Sequence, residues 1–513
     1  MALDPDLPRY PTIVHALQAS IARHPERRAL VCRGRALTYA ELGRALTGLA
    51  RQLSSRGVQR QRVVVLLPTS IEAVVSVLGV LASGAEVAPI NPFFTIPELR
   101  TVLAEIEPVL IISGDEAWPK LQQLIDDRTP ILRWRSDELT LDALTRASDD
   151  WTDLPEPVPT DVAVALLTGG TTGVPKAVEH SHAALFVSLL QHCTVWPLRA
   201  GEERFLSAAP IFHIWGLFYA TFVPLYLAGT LVLVPKYDPE QVLEAIEAER
   251  ITVFGGGPAP VYLGLLASPR FVRTDFSSLT HCLSGGAPCP LELHQRWQRA
   301  TGCALLEGWG MTEVAPLCLS RPGAPKPLSV GRPVPETTIE VVDLEHGTRV
   351  LGEGQTGELR VRGPQQMLGY RGRAEATRAA VREGWLYTGD VGYLDADGDL
   401  FLVDRKKDMI IVGGYNVYPR QVDEVLFRHA DIAEAATVGR ADALLGEVLV
   451  AFVVLRPGAE LDEAGFFDYC RAELVKYKRP VAVTFLEALP RTAARKLDRK
   501  ALRDMARQTV SAR

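Results

Sequence analysis

The segment that most limits what this chain can fold into is Thr168-Gly-Gly-Thr-Thr-Gly-Val-Pro-Lys176. It follows the apolar run Val162–Leu167, which reads as a buried strand, and it precedes a helix expected from about Ser181 to His192. Three glycines let backbone N–H groups close around an anion, the threonine hydroxyls add donors, and Lys176 adds a point charge. Such a loop between strand and helix suits a polyphosphate. It differs from a Walker A loop, because Pro175 rather than Gly precedes the lysine and Ala177 rather than Ser or Thr follows it. Composition alone leaves an ordinary Gly/Thr-rich turn equally open, so the rest of the chain has to decide.

A chain of 513 residues exceeds one hydrophobic core, and roughly two to four domains or subdomains are expected. A net charge of -6 without any basic block argues against nucleic-acid binding. The start Met1-Ala-Leu-Asp-Pro-Asp has neither a basic nor an apolar stretch of the kind a secretory signal carries. No apolar run approaches the ~18–20 residues that span a membrane. Seven cysteines, an odd number without CxxC pairing, fit reduced thiols in a cytoplasmic protein and offer no zinc site.

The expected fold class is α/β. Residues 1–160 alternate helix and strand signals: a capping-box spacing at Thr38 and Glu41, apolar helical positions Leu42, Leu46, Leu49 and Leu53, a β-branched run Val63–Leu67, and an apolar helix Ile71–Leu81. The Pro/Asp-rich stretch 149–161 reads as a linker into a second α/β subdomain over 161–329, where Leu231–Val234, a helix Pro239–Ala248 and Ile251–Phe254 repeat the rhythm. Short strand signals between Gly-rich turns make 330–404 a small antiparallel β subdomain. Within it, Asp395-Ala-Asp-Gly-Asp399 reads as a hairpin turn, since the Glu that would end a calcium loop is missing. The charged break Asp404–Asp408 then separates a large N-terminal domain, 1–404, from a small mobile α+β domain, 405–513.

Further motifs stand in one order along the chain: Ser284-Gly-Gly-Ala-Pro288, Glu307-Gly-Trp-Gly-Met-Thr-Glu313, Tyr387-Thr-Gly-Asp390, Asp404-Arg405, Gly413-Gly-Tyr415 and Pro490-Arg-Thr…Lys496. Together with the loop they resemble the adenylate-forming superfamily of acyl- and aryl-CoA synthetases, peptide-synthetase adenylation domains and luciferases. The resemblance covers essentially the whole chain. It implies that ATP and AMP are held by Thr168, Gly169, Gly170, Thr171, Thr172, Gly173 and Lys176, by Gly286, Ala287 and Pro288, by Glu307, Gly308, Trp309, Gly310, Met311 and Thr312, and by Asp390, Arg405 and Lys496. In particular it makes Glu313 and Thr168 the residues that serve magnesium, a hard ion that takes one or two protein oxygens beside phosphates. Trp309 would offer a face to adenine, and Asp390 with Arg405 would fix the ribose. Lys496 would bridge carboxylate and α-phosphate, two anions whose approach is an electrostatic and orientational problem. The chain departs from the family in having Arg495 where Gly often precedes that lysine. Lys407 corresponds to the hinge of the C-terminal domain, and Gly413, Gly414 and Tyr415 to the turn that admits coenzyme A.

The same resemblance makes His213 a gate or positioning residue of the carboxylate pocket rather than a base, because a carboxylic acid is already ionised at neutral pH. The pocket wall by this analogy comprises His213, Trp215, Gly216, Gly255, Gly256, Gly257, Gly308 and Met311. Glycines on one wall would leave a deep slot for a linear acyl chain, with a strand-end turn as the alternative reading of Gly255–Gly257. Ile214 stands where amino-acid-activating members carry Asp, and Ile411 where luciferases carry a second catalytic lysine. The expected activity is therefore ATP-dependent activation of a carboxylic acid, a medium- or long-chain fatty acid in this reading, to an acyl-adenylate and then to a coenzyme A thioester. The alternatives are loading of an acyl carrier protein, an aryl-CoA ligase, or a non-catalytic binding module.

Overall fold

The computed structural model describes residues 1–508 except 125–128, 136–138, 147–150, 152–153, 169–174, 288, 324, 443 and 493–495. The fold is mixed α/β, with a large N-terminal and a small C-terminal domain. In a seven-stranded sheet, Arg62–Leu66 runs parallel to both its neighbours, the central strand Glu86–Pro89 and Leu110–Ser113. These strands are near-continuous apolar runs because the sheet is covered on both faces. Val63 and Val65 point to a core shared with the helices Tyr39–Ser54 and Ile71–Ala82, while Val64 and Leu66 point to the core under Ile96–Ile106. The capping box of Thr38 and Glu41 forms as the spacing requires.

The helix expected from about Ser181 to His192 is present, and a strand that the sequence did not announce precedes it. Lys176–Ser181 is a strand, antiparallel to Val162–Thr168 with Thr168 opposite Lys176, and the helix His182–Val195 begins only after it. Antiparallel strands therefore stand on both sides of residues 169–175, and the helix follows the second of them. The reason lies in the alternation of Ala177 and Val178, which are buried in two different cores on opposite faces of the sheet. Ser181 closes the strand and caps the helix, its hydroxyl accepting from the Ala184 N–H at 3.1 Å.

The sheets do not divide the chain at residue 160. The hairpin Arg28–Cys32/Arg35–Thr38 joins a nine-stranded sheet through parallel pairing of Leu30 with Leu231 and Val31 with Val232. Conversely, the loop hairpin belongs to the seven-stranded sheet, whose edge is extended by Gly369–Tyr370 from the expected β subdomain. Most of 330–404 forms a five-stranded antiparallel sheet. Its Asp395–Asp399 turn holds a cation from the protein itself: the Lys326 ammonium bonds Asp395 and reaches Asp397 at 2.8 Å. The C-terminal sheet of Ile410–Val412, Tyr415–Val417, Ile432–Asp442, Gly446–Leu455 and Ala482–Phe485 has its own core around Val417, Val422, Phe452 and Phe466. It meets the larger domain through Arg456, whose guanidinium pairs with Glu292 at 3.0 Å.

Candidate active site

Glu313 lies in the tight connection between the antiparallel strands Leu305–Met311 and Val314–Leu319. It is buried, and its turn is tied from several sides. Tyr370 donates its hydroxyl to Glu313 Oε1 at 2.7 Å, the Met367 N–H donates to the Glu313 carbonyl at 2.8 Å, and His180 Nε2 donates to the Thr312 carbonyl at 2.7 Å. Burial pushes the His180 pKa down to about 4, so the ring is neutral at physiological pH and carries one N–H. The Tyr370 ring also lies under the Lys176 ammonium, 4.6 Å from Nζ to centroid. Burial and the adjacent Glu313 hold its phenol well above the ordinary range, so Tyr370 remains a donor. Tyr370 therefore links the loop lysine to the carboxylate expected to serve magnesium. Sequence reasoning missed it, and the only local sign was an aromatic directly after Gly369. Thr168 stands opposite Lys176 at the mouth of the hairpin, its hydroxyl 3.5 Å from the Lys176 carbonyl. Gly169, Gly170, Thr171, Thr172 and Gly173 fall outside the described residues, as does Pro288.

Asp390 is the second focus. It is buried beside its cross-strand neighbour Arg405, whose Nε lies 3.0 Å from Oδ1, and Trp309 Nε1 donates to Oδ2 at 2.9 Å. Burial raises the carboxyl pKa, and Arg405 with Trp309 pulls it back down. Trp309 is only 7% exposed and packs with Val178, Val314 and Met367. Its indole N–H holds Asp390 in place. Glu307 is engaged as well. Its carboxylate accepts from His294 Nε2 at 2.7 Å, on the face of its strand opposite to Gly308.

Lys496 reaches this cleft from the C-terminal domain, on a turn closed by Thr492 N–H to Lys496 carbonyl at 2.8 Å and Asp498 N–H to Pro490 carbonyl at 2.9 Å. A Cβ at Gly286, which has φ +81°, would sit 3.4 Å from Lys496 Cε and 3.6 Å from Nζ, so the lysine lies directly over that glycine. The protein packed around the ammonium, and then Arg405, push its pKa below that of an ordinary lysine, while Asp390 opposes them. Burial, with a smaller push from Lys496, lowers the His213 pKa to about 4. Lys496, Asp390, Arg405, Gly286 and a neutral His213 thus share one cleft. Ala287 directly follows Gly286 in the chain, and Gly310 lies close against Ala315. Lys407 sits in the turn after Arg405, between Lys406, which bonds Glu358 at 2.8 Å, and Asp408, which bonds Arg503. Gly413 and Gly414 form a left-handed turn with φ of +56° and +87°, and Tyr415 stacks on Tyr477 at 4.5 Å. This turn is exposed.

The glycine wall is not the open slot expected. A Cβ at Gly216 would lie 2.0 Å from the Pro210 carbonyl, so that glycine allows close backbone approach and lines no cavity. Gly256 faces Phe254 and Tyr262 in the interior, and Gly255 backs onto Tyr219. Gly257 and Gly308, joined by Gly285, form a floor against which the Trp215 indole lies. Cβ atoms there would be 3.8 Å from its Nε1, 3.4 Å from Cζ3 and 2.6 Å from Cζ3 respectively.

The family model described as AMP-binding enzyme matches residues 17–371, and the one described as AMP-binding enzyme C-terminal domain matches residues 421–496. A long-chain-fatty-acid–CoA ligase of Bacillus subtilis (strain 168) is 34% identical over 96% of this chain and 94% of its own length. A feruloyl-CoA synthase of an Amycolatopsis species is 36% identical over 90% of this chain and 93% of its own. Among solved structures, ATP-bound MatB from Rhodopseudomonas palustris superposes with a TM-score of 0.89 at 29% identity, covering 97% of this chain and 99% of that one.

Proposed function

Because the chain belongs to the AMP-binding enzyme family, we propose that it joins a carboxylic acid to coenzyme A with conversion of ATP to AMP and pyrophosphate. The observation that carries this reading is the meeting of Lys496 with Asp390, Arg405, Gly286 and His213 in one cleft. In the first half-reaction a carboxylate oxygen attacks the α-phosphorus and pyrophosphate leaves. Lys496 offsets the charge of the two anions as they meet, which is where electrostatic stabilisation counts most. Neutral His213 takes no proton, since none has to be removed, and lines the carboxylate end of the pocket. Asp390 and Arg405 orient the ribose, and Lys176 with the loop attracts the β- and γ-phosphates. Glu313 and Thr168 are the residues that would hold magnesium. A buried carboxylate with one oxygen fixed by Tyr370 suits a hard cation, and the ion when bound would neutralise phosphate charge. In the second half-reaction the thiol sulfur attacks the acyl carbon and AMP departs. We assign this step to the Gly413–Tyr415 turn, brought to the cleft by rotation about Lys407. Coenzyme A rather than a carrier protein is the acceptor in line with the names of both relatives above.

The test is acid-dependent pyrophosphate release and coenzyme A-dependent AMP release, on wild type and Lys496→Ala. Wild type should require acid, ATP and coenzyme A together. The variant should lose pyrophosphate release by about a hundredfold or more, yet still transfer a supplied acyl-adenylate to coenzyme A. If ATP binds but no acid in a broad panel releases pyrophosphate, the protein is a binding module and the proposal fails.

A further inference from the structure

The floor formed by Gly257, Gly285 and Gly308 would be the widest part of an acyl pocket, and it is covered. The Trp215 indole spans all three glycines, its Nε1 end at Gly257 and its Cζ3 end at Gly285 and Gly308, and its ring meets Tyr219 with centroids 4.6 Å apart. Tyr219 is itself immobilised by His192 at 5.4 Å and Trp196 at 6.0 Å, and Trp196 also approaches Gly308. Three aromatic rings therefore pack in a row against this floor, and the glycines are what let Trp215 and Trp196 approach it.

Trp215 comes from the segment that carries His213, beside which the acid's carboxylate would meet Lys496. Two residues of chain span at most ~7 Å, so the carboxylate end and the covered floor of the pocket are held a short distance apart by the backbone itself. A second observation marks this segment as facing a ligand. His213 Nε2 and Trp215 Nε1 are both buried without a hydrogen-bond partner, a costly state for a donor or acceptor unless a bound molecule meets it.

Resting on the acid–coenzyme A ligase reading, we infer that the substrate is a compact acid, a short chain or a single ring, and that Trp215 sets the limit. The glycines do not make a slot for a long chain in this protein; they make room for the indole. Beyond the limit, each added methylene that meets the ring should reduce kcat/KM by about tenfold or more.

The experiment compares butyrate, hexanoate and benzoate with dodecanoate and palmitate, at saturating ATP and coenzyme A, on wild type, Trp215→Ala and Trp215→Leu. Wild type should favour the small acids over dodecanoate by about a hundredfold or more. In the variants the ratio of kcat/KM for dodecanoate to that for butyrate should rise by about tenfold or more. The Leu variant keeps the site filled if the Ala variant is unstable. A wild-type preference for dodecanoate or palmitate, or a chain-length profile unchanged in a folded variant, overturns the inference. If no acid of any size gives AMP, the ligase reading fails instead, and the size limit is then read from calorimetric binding of the same acids to the ATP-bound protein.

Discussion

Replacing Tyr370 by Phe removes one oxygen and leaves the ring in place. The hydroxyl donates to a carboxylate that is 7% exposed, so bulk water cannot fully take its place. Losing a hydrogen bond to a charged, buried acceptor costs ~1.5–3 kcal/mol. At ~1.4 kcal/mol per decade this is at most about ten- to 150-fold in kcat/KM for ATP, the full value applying where the bond is needed to hold Glu313 in the transition state only. Tyr370→Leu also removes the ring beneath the Lys176 ammonium, worth a further ~0.5–2 kcal/mol, or about two- to thirtyfold. The assay is acid-dependent pyrophosphate release over a grid of magnesium and ATP concentrations, with melting temperatures measured in parallel. Tyr370→Phe should raise the magnesium concentration needed for half-maximal rate, because Glu313 is no longer held. Tyr370→Leu should add an increase in KM for ATP through Lys176. A purely structural role would lower the melting temperature and leave the magnesium response unchanged. If Tyr370→Phe stays within about twofold of wild type in rate and keeps the same magnesium response, the link from Lys176 through Tyr370 to Glu313 has no part in catalysis.

Lys496 must keep its proton to act. Because its pKa is lowered from 10.5 by its surroundings, pyrophosphate release should be complete on the acid side and fall as pH rises through a value below 10.5. Lys496→Arg should remove that limb, since a guanidinium does not titrate there, and His213, held near 4, should add none between roughly pH 5 and 8. Gly286→Ala forces a side chain into φ +81° directly under Lys496. The conformation alone costs ~1–2 kcal/mol, and a loss of pyrophosphate release greater than the loss of stability would show that the lysine has been displaced.

The motif residues were legible because each is fixed by what it must do locally: Glu313 in a turn, Asp390 opposite Arg405, Gly286 in a left-handed conformation. What the sequence hid was partnership across distance. Nothing near Tyr370 announces that it lies between Lys176 and Glu313, because the pairing of Gly369 and Tyr370 with Glu179 and Val178 depends on a sheet edge formed elsewhere. The strand Lys176–Ser181 that precedes the expected helix stayed hidden for the same reason. Ala177 and Val178 are short of a clear period until the sheet assigns each a face. The glycine wall is a different case: a row of glycines looks like empty space in sequence, and only the fold reveals that Trp215 lies against Gly257, Gly285 and Gly308. Glu307 and Trp309 sit in a binding motif, but their polar groups are engaged by His294 and Asp390.

The exchange of strands between the two large sheets also has a consequence for how the protein reaches its structure during synthesis. The hairpin Arg28–Thr38 emerges from the ribosome early, but Leu30 and Val31 have no parallel partner until Leu231 and Val232 appear, about two hundred residues later. Until then an apolar strand edge stands unpaired, the kind of surface that chaperones shield and that aggregation exploits. The loop hairpin has the same history in smaller form, since its outer edge stays open until Gly369–Tyr370 arrives. Neither sheet can be completed before most of the chain exists, so fragments cut at residue 160 should be insoluble, and the two halves of the ATP-binding cleft should mature together in one late step.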